Sequence, residues 1–216
     1  MNPLQRRTRE LLTHAGLEAR ELDALDHPPL HTLPGGKGGF GLVGGTGSGK
    51  TWALVQRVAG VVQDAITRQP DPSRARLIWV DGDIARDRRV LWVNWHDQAE
   101  DIQRRRFDDV WVDAWSAWAE DVPILVLDDL GRERYEGLKD PARSALVRVL
   151  DTRHRRKATL LWTSNLTAEE LTAFYGAAMA SRLLGTWPAY EVEGQDLRLC
   201  PLMPQVELKR AAGGDV

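Results

Sequence analysis

Apolar residues along this chain fall into short unbroken runs separated by longer amphipathic stretches. The runs at 40–43, 77–80, 90–95, 124–127 and 159–163 are rich in Val, Leu, Ile and Trp, the pattern of strands covered on both faces. Between and after them, residues 50–68, 98–107, 141–153 and 168–175 space their apolar positions as helices with one buried face do. Asp140 followed by Pro141 marks a helix start, with a carboxylate cap and a proline in the first turn. Strands and helices alternate, so the expected fold is α/β, with a parallel five-stranded sheet flanked by helices. Trp111, Trp115 and Trp118 recur at i, i+4 and i+7. That is one face of a further helix, expected to be a core or subunit-facing stripe rather than a stacking platform for bases.

The ends of the chain read differently. Residues 1–34 form a short N-terminal extension, with a helix around 4–22, the breaker His27-Pro28-Pro29 and a Gly/Pro linker. Residues 35–203 hold the core, and 204–216 form a tail with little to pack. Asp81-Gly82-Asp83, between the runs at 77–80 and 90–95, can turn a hairpin.

Composition narrows the class. The 216 residues are 43% hydrophobic, enough for a real core. Lys and Arg number 29 against 31 Asp and Glu, a net charge of −2, so bulk charge draws the chain to neither nucleic acid nor membrane and only a local basic face could. A single cysteine, Cys200, excludes an intrachain disulfide and a Cys-cluster metal site. No apolar run approaches the ~18 residues of a membrane span, and a soluble, cytoplasmic protein is expected, with no membrane partner.

Chemistry concentrates at one motif. Gly44-Gly45-Thr46-Gly47-Ser48-Gly49-Lys50-Thr51 satisfies G-x-x-x-x-G-K-[ST] between a strand and a helix. Glycines let backbone N–H groups wrap phosphate oxygens, and the helix N-terminus adds its positive end. Lys50 can then reach the β- and γ-phosphates of a nucleotide, and the Thr51 hydroxyl can ligate Mg²⁺. Trp52 follows directly and is expected to pack at the base of the nucleotide site. Gly36-Lys37-Gly38-Gly39-Phe40-Gly41 spells a dinucleotide fingerprint, but it precedes a strand and opens no helix, so it reads as a linker.

The run at 124–127 leads into Asp128-Asp129. Beside a phosphate loop, such a strand end presents its first acid, Asp128, to Mg²⁺ and its second, Asp129, to an attacking water. The run at 159–163 ends in Ser164-Asn165. If this strand lies between the two others, Asn165 faces the terminal phosphate; otherwise it caps the helix that follows.

Taken together, Gly44 to Thr51, Leu127-Asp128-Asp129-Leu130-Gly131 and Thr163-Ser164-Asn165-Leu166 resemble the AAA+ ATPases of the DnaC/DnaI helicase-loader and IstB transposition-ATPase group. The resemblance implies a P-loop NTPase of AAA+ type with a reduced or absent lid domain, hydrolysing ATP with Mg²⁺. It implies Lys50 and Thr51 at the nucleotide, Asp128 and Asp129 as the Walker B pair, and Asn165 as sensor of the terminal phosphate. It also points to Arg182, in Ala180-Ser181-Arg182-Leu183, as an arginine finger reaching a neighbouring copy's site in a homo-oligomer; from the residues alone Arg182 is equally a solvated helix charge. Partners implied are single-stranded DNA and a replicative helicase or a transposase. For DNA, Arg104-Arg105-Arg106 is the candidate contact, while Arg153, Arg155, Arg156 and Lys157 read as a solvated helix end. Two departures stand out: only about 34 residues precede the core, where helicase loaders carry a separate helicase-gripping region, and lid helices after Arg182 look absent, residues 187–199 reading as strands instead. A small P-loop kinase is the competing reading, with residues 84–89 as its candidate Arg-rich lid.

Overall fold

The computed structural model of the chain describes residues 2–27, 33, 38–68, 77–80, 84–87, 90–133, 140–192 and 209–210. Helices α1 (Pro3–His14) and α2 (Ala19–Leu22) open it, followed by β1 (Gly39–Val43), α3 (Lys50–Arg68), β2 (Leu77–Val80) and β3 (Ile84–Asp87). Then come β4 (Val90–Asn94), α4 (Trp95–Arg104), α5 (Asp109–Asp121), β5 (Ile124–Leu130) and α6 (Pro141–Arg156). The last elements are β6 (Thr159–Ser164), α7 (Ala168–Tyr175), α8 (Ala177–Thr186), β7 (Ala189–Glu191) and β8 (Lys209–Arg210). No helix among the described residues is long and apolar enough to cross a membrane.

Five parallel strands run in the order β4-β5-β6-β1-β7, with the two-residue β8 antiparallel at the edge. Both faces are covered, and successive residues of each strand feed opposite cores. In β4, Leu91 and Val93 join Trp95, Ile102, Trp115, Leu146, Val149 and Leu183 on the side of α4 to α8. Val90 and Trp92 join Leu11, Leu12, Leu54, Val55 and Val58 on the side of α1 and α3. This is why the strands read as unbroken apolar runs. The tryptophan stripe of α5 belongs to the first of these cores: Trp115 is buried, and Trp111 and Trp118 pack against the same cluster.

The sheet departs from expectation at one strand. The run at 77–80 does not enter it; β2 pairs antiparallel with β3, from Leu77 opposite Asp87 to Val80 opposite Ile84, as a separate two-stranded sheet. A neighbour three residues along the chain is a cheaper partner in loop entropy than a distant sheet edge. The connecting residues 81–83, where a hairpin turn was expected, lie outside the described residues. The fifth parallel strand is instead β7, in register with β1 from Gly41 opposite Ala189 to Val43 opposite Glu191. Residues 84–87, within the 84–89 stretch that the kinase reading takes as its lid, are thus a paired strand; 88–89 lie outside the described residues.

Other differences are smaller. Helix α4 begins at Trp95, three residues before the expected start, because the Asn94 side chain accepts from the Asp97 N–H and caps it. The N-terminal helices pack firmly: Leu11, Leu12, Ala15, Leu17, Leu22 and Ala24 are all buried in the α3-side core. The Ala15 carbonyl accepts from the Trp92 N–H at 2.8 Å, shielding the free edge of β4. Lys209–Arg210, within the stretch expected to be a tail, pairs with β7.

Candidate nucleotide site

The site forms where β1, β5 and β6 end side by side. Inserting β6 between β5 and β1 brings residues 44–51, Asp128, Asp129 and Asn165 to one edge of the sheet, the edge where parallel α/β sheets bind ligands.

Gly44, Gly47 and Gly49 adopt φ of 146°, 80° and 87°, which other residues rarely take. At Gly44 a Cβ would also come within 2.5 Å of the Val192 carbonyl oxygen. The loop leads Gly45, Thr46 and Ser48 around to the start of α3, with the Ser48 N–H donating to the Gly45 carbonyl at 3.3 Å. Lys50 is buried, and its ammonium donates to the carbonyls of Gly44 and Gly45 at 2.8 Å each, and to Asn165 Oδ1 at 2.9 Å. A buried cation among left-handed glycines at a helix N-terminus is chemistry suited to a polyphosphate. Trp52, the next side chain but one, stacks on His27 at 4.9 Å and 24°.

The acids come from β5. This strand runs three residues past the expected end at 127, carrying both carboxylates within it. Asp128 is buried and accepts from the Thr51 hydroxyl, 3.1 Å to each oxygen, and from the Thr163 hydroxyl at 2.5 Å. Burial pushes its carboxyl above the usual carboxylate range, and the charge of Asp129 adds to that; hydrogen bonds from Thr163 and Thr51 and the Lys50 charge oppose it. Thr51 and Asp128 are adjacent hard oxygen donors, which suits Mg²⁺, an ion that takes one or two protein ligands and completes its shell with phosphate and water. Among the described residues no three His, Cys, Asp or Glu side chains converge to cage a metal by themselves.

Asp129 has φ of 67°, and the β5–β6 register shifts between Leu127 and Leu130. The bulge turns consecutive acids of one strand toward the same edge, which a regular strand could not do. The Asp129 N–H donates to Thr163 Oγ1 at 2.8 Å, so this one threonine holds both acids. Asn165 Nδ2 donates to Asp129 Oδ1 at 2.9 Å while its Oδ1 accepts from Lys50, bridging the two motifs. The competing cap role falls to Thr167, whose side chain accepts from the Glu170 N–H at 3.2 Å.

Other expected residues lie elsewhere. Arg182 sits on α8, where Nε pairs with Asp151 of α6 at 2.7 Å and Nη1 donates to the Ala178 carbonyl at 3.2 Å. Arg104 ends α4, and Arg105 and Arg106 begin the α4–α5 turn. Arg104 pairs with Glu100 and Asp101 of its own helix, and the guanidinium groups of Arg105 and Arg106 lie over the rings of Trp111 and Phe107, at 4.6 and 5.0 Å. Phe107 is 89% exposed and Val110 81%.

Sequence reasoning missed several members of these networks. Thr163 stood only in the strand run at 159–163 and the motif at 163–166, with no role of its own, although it ends up holding both acids. His27 and Arg132 carried no pattern. Arg153 is not solvated: it is fully buried, and its guanidinium donates to the carbonyls of Ala119 and Val122 at 2.8 Å and to that of Thr159. Burial lowers its pKa to about 10.

No protein-family model matches this sequence, and no curated protein matches it. Solved structures do. The chain superimposes on DnaI with a TM-score of 0.51 at 18% identity, covering 87% of this chain and 82% of that one. It superimposes on the replication initiator DnaA bound to AMPPCP and single-stranded DNA with a TM-score of 0.50 at 16% identity, covering 81% of this chain and 44% of that one. The fold is that of the AAA+ P-loop NTPases. A DnaC helicase loader also aligns, at 17% identity over 89% of this chain and 92% of that one, with a TM-score of 0.49. The AAA+ resemblance carried by the three sequence motifs is thus matched by the fold.

Proposed function

We propose that the protein is a DNA-associated AAA+ ATPase that acts as a replicative-helicase loader and hydrolyses ATP at the interfaces between its own copies. The observation that carries the reading is the connected set Thr51–Asp128, Thr163 to both acids, and Lys50–Asn165–Asp129. It gathers a phosphate-binding cation, a Mg²⁺ ligand pair, a candidate base and a polar sensor at one edge of an AAA+ sheet. In this reading Lys50 and residues 44–49 bind the phosphates of ATP, and Thr51 and Asp128 hold Mg²⁺, which supplies positive charge to the phosphate oxygens. Asp129 accepts a proton from the water that attacks the terminal phosphorus, and Asn165 orients that water. Arg182 leaves Asp151 and reaches the site of the next copy.

The helicase-loading part rests on the motif resemblance of residues 127–131 and 163–166 to the DnaC/DnaI group. Support for a single-stranded DNA partner comes from the α4–α5 turn, where Arg106 lies over the exposed Phe107 and Arg105 over Trp111, the pairing of cation and aromatic face that single strands favour. The fold shared with a DnaA that was solved with an ATP analogue and single-stranded DNA agrees with both ligands.

The test is steady-state ATP turnover with and without single-stranded DNA. Wild type should turn over ATP and be stimulated by DNA. Lys50→Ala should lose nucleotide binding, and Asp129→Asn should bind ATP yet lose about 10²-fold or more in kcat. The double variant Arg105→Ala/Arg106→Ala should keep its basal rate and lose the stimulation. Wild-type turnover that survives both Lys50→Ala and Asp129→Asn would remove the assignment.

A further inference from the structure

Arg132 belongs to neither nucleotide motif, yet its Nη1 donates to Asp129 Oδ2 at 2.5 Å. The other oxygen, Oδ1, accepts from Asn165 Nδ2 at 2.9 Å. Both oxygens of the candidate base are therefore engaged, one of them by a cation. A carboxylate takes a proton from water only if that water can reach an oxygen within hydrogen-bonding distance.

The surroundings of Arg132 fix its backbone and leave its side chain able to move. On one side Gly131, at φ 90°, donates its N–H to Glu133 Oε2 at 2.8 Å. On the other, buried Glu133 also accepts from the Tyr175 hydroxyl, which ties the loop to α7. A Cβ at Gly131 would meet Leu166 Cδ1 at 2.5 Å, so this turn fits closely against the segment that carries Asn165. Between these anchors the Arg132 side chain is 57% exposed, against 21% for Asp129. A guanidinium on a pinned backbone, with most of its surface in water, can leave its partner by rotamer change alone, without loop opening.

The geometry points to Arg132 as a positioning residue that clamps Asp129 in the resting site and lowers the turnover rate until it swings away. The inference rests on the ATPase reading above. An incoming water competes with the guanidinium for Oδ2, so kcat rises with the fraction of molecules in which Oδ2 is released, while nucleotide affinity, set by residues 44–51, does not change. A largely exposed ion pair biases such an equilibrium roughly two- to fivefold, and added salt weakens it.

The experiment is ATP turnover by full-length wild type, Arg132→Ala and Arg132→Lys at low and high salt, with nucleotide binding followed in parallel. Arg132→Ala should raise kcat about two- to fivefold with KM for ATP unchanged. Arg132→Lys, which keeps the charge without the fork, should fall between. Wild-type kcat should climb with salt while that of Arg132→Ala does not. A kcat that falls or stays level in Arg132→Ala, beside an active wild type, overturns the clamp and leaves the ATPase reading intact. If wild type and variant both bind ATP and neither turns it over under any condition, the ATPase reading fails and the clamp fails with it.

Discussion

Asp128 sits where the protein does not favour a negative charge. Burial raises its carboxyl, and the fold answers with two hydroxyl donors and a nearby ammonium rather than a direct cation partner. The folded chain thus holds this proton to higher pH than the unfolded chain does. Stability contributed at this residue is lost as pH rises through the raised value and regained as pH falls through it. Asp128→Asn should therefore raise the melting temperature of the nucleotide-free protein at neutral pH, by about 2–4 °C for each kcal/mol recovered, and should abolish Mg²⁺-dependent turnover. Thermal melts across the acid range check both: the wild-type gain on acidification through the raised value should be absent in the variant. A variant less stable than wild type at neutral pH would mean that the hydrogen bonds to Thr51 and Thr163 outweigh the burial penalty.

At the scale of elements, Arg153 holds three together. From α6 it donates to carbonyls at the end of α5, at the start of β5's approach and at the head of β6. Truncation would leave those carbonyls unpaired as well as opening a cavity, so Arg153→Ala should destabilise the fold by about 3–5 kcal/mol. Denaturant unfolding measures it, and a loss below ~1 kcal/mol would show that water replaces the guanidinium. The pattern of the chain foretold most elements and few of these ties. β1, β5 and β6 were legible because both faces of each are buried, which makes an apolar run. β7 was legible only as part of 187–199, which read as strands; its place beside β1 was not, because Ala189-Tyr190-Glu191 has no long apolar run and is fixed by its hydrogen bonds to β1 and by the Val192 N–H to the Val43 carbonyl. Gly41 fell within the expected strand at 40–43, but nothing in the pattern showed its role: it is the gap in β1 into which the Trp162 indole fits, since a Cβ there would lie 1.9 Å from the ring. The phosphate loop and the two acids announced themselves by residue type and spacing. Thr163, Arg132 and His27 could not, because their roles depend on which strands become neighbours and where β5 bulges.

For the whole molecule, the central question is whether one chain holds a complete site. Lys50, Thr51, Asp128, Asp129 and Asn165 are joined within a single copy, whereas Arg182 pairs with Asp151 on its own surface. Under the proposed function, catalysis needs an arginine from the next copy, worth about 10³–10⁵ in rate where such fingers act. The most direct measurement mixes two inactive variants, Lys50→Ala and Arg182→Ala, and follows ATP turnover against total protein concentration. In a mixed assembly the Lys50→Ala copy supplies Arg182 to the intact nucleotide site of the Arg182→Ala copy. Activity should reappear in the mixture and rise with concentration, while each variant alone stays inactive. A mixture no more active than the average of its parts, beside a wild type whose turnover per subunit is independent of concentration, would contradict the need for that arginine.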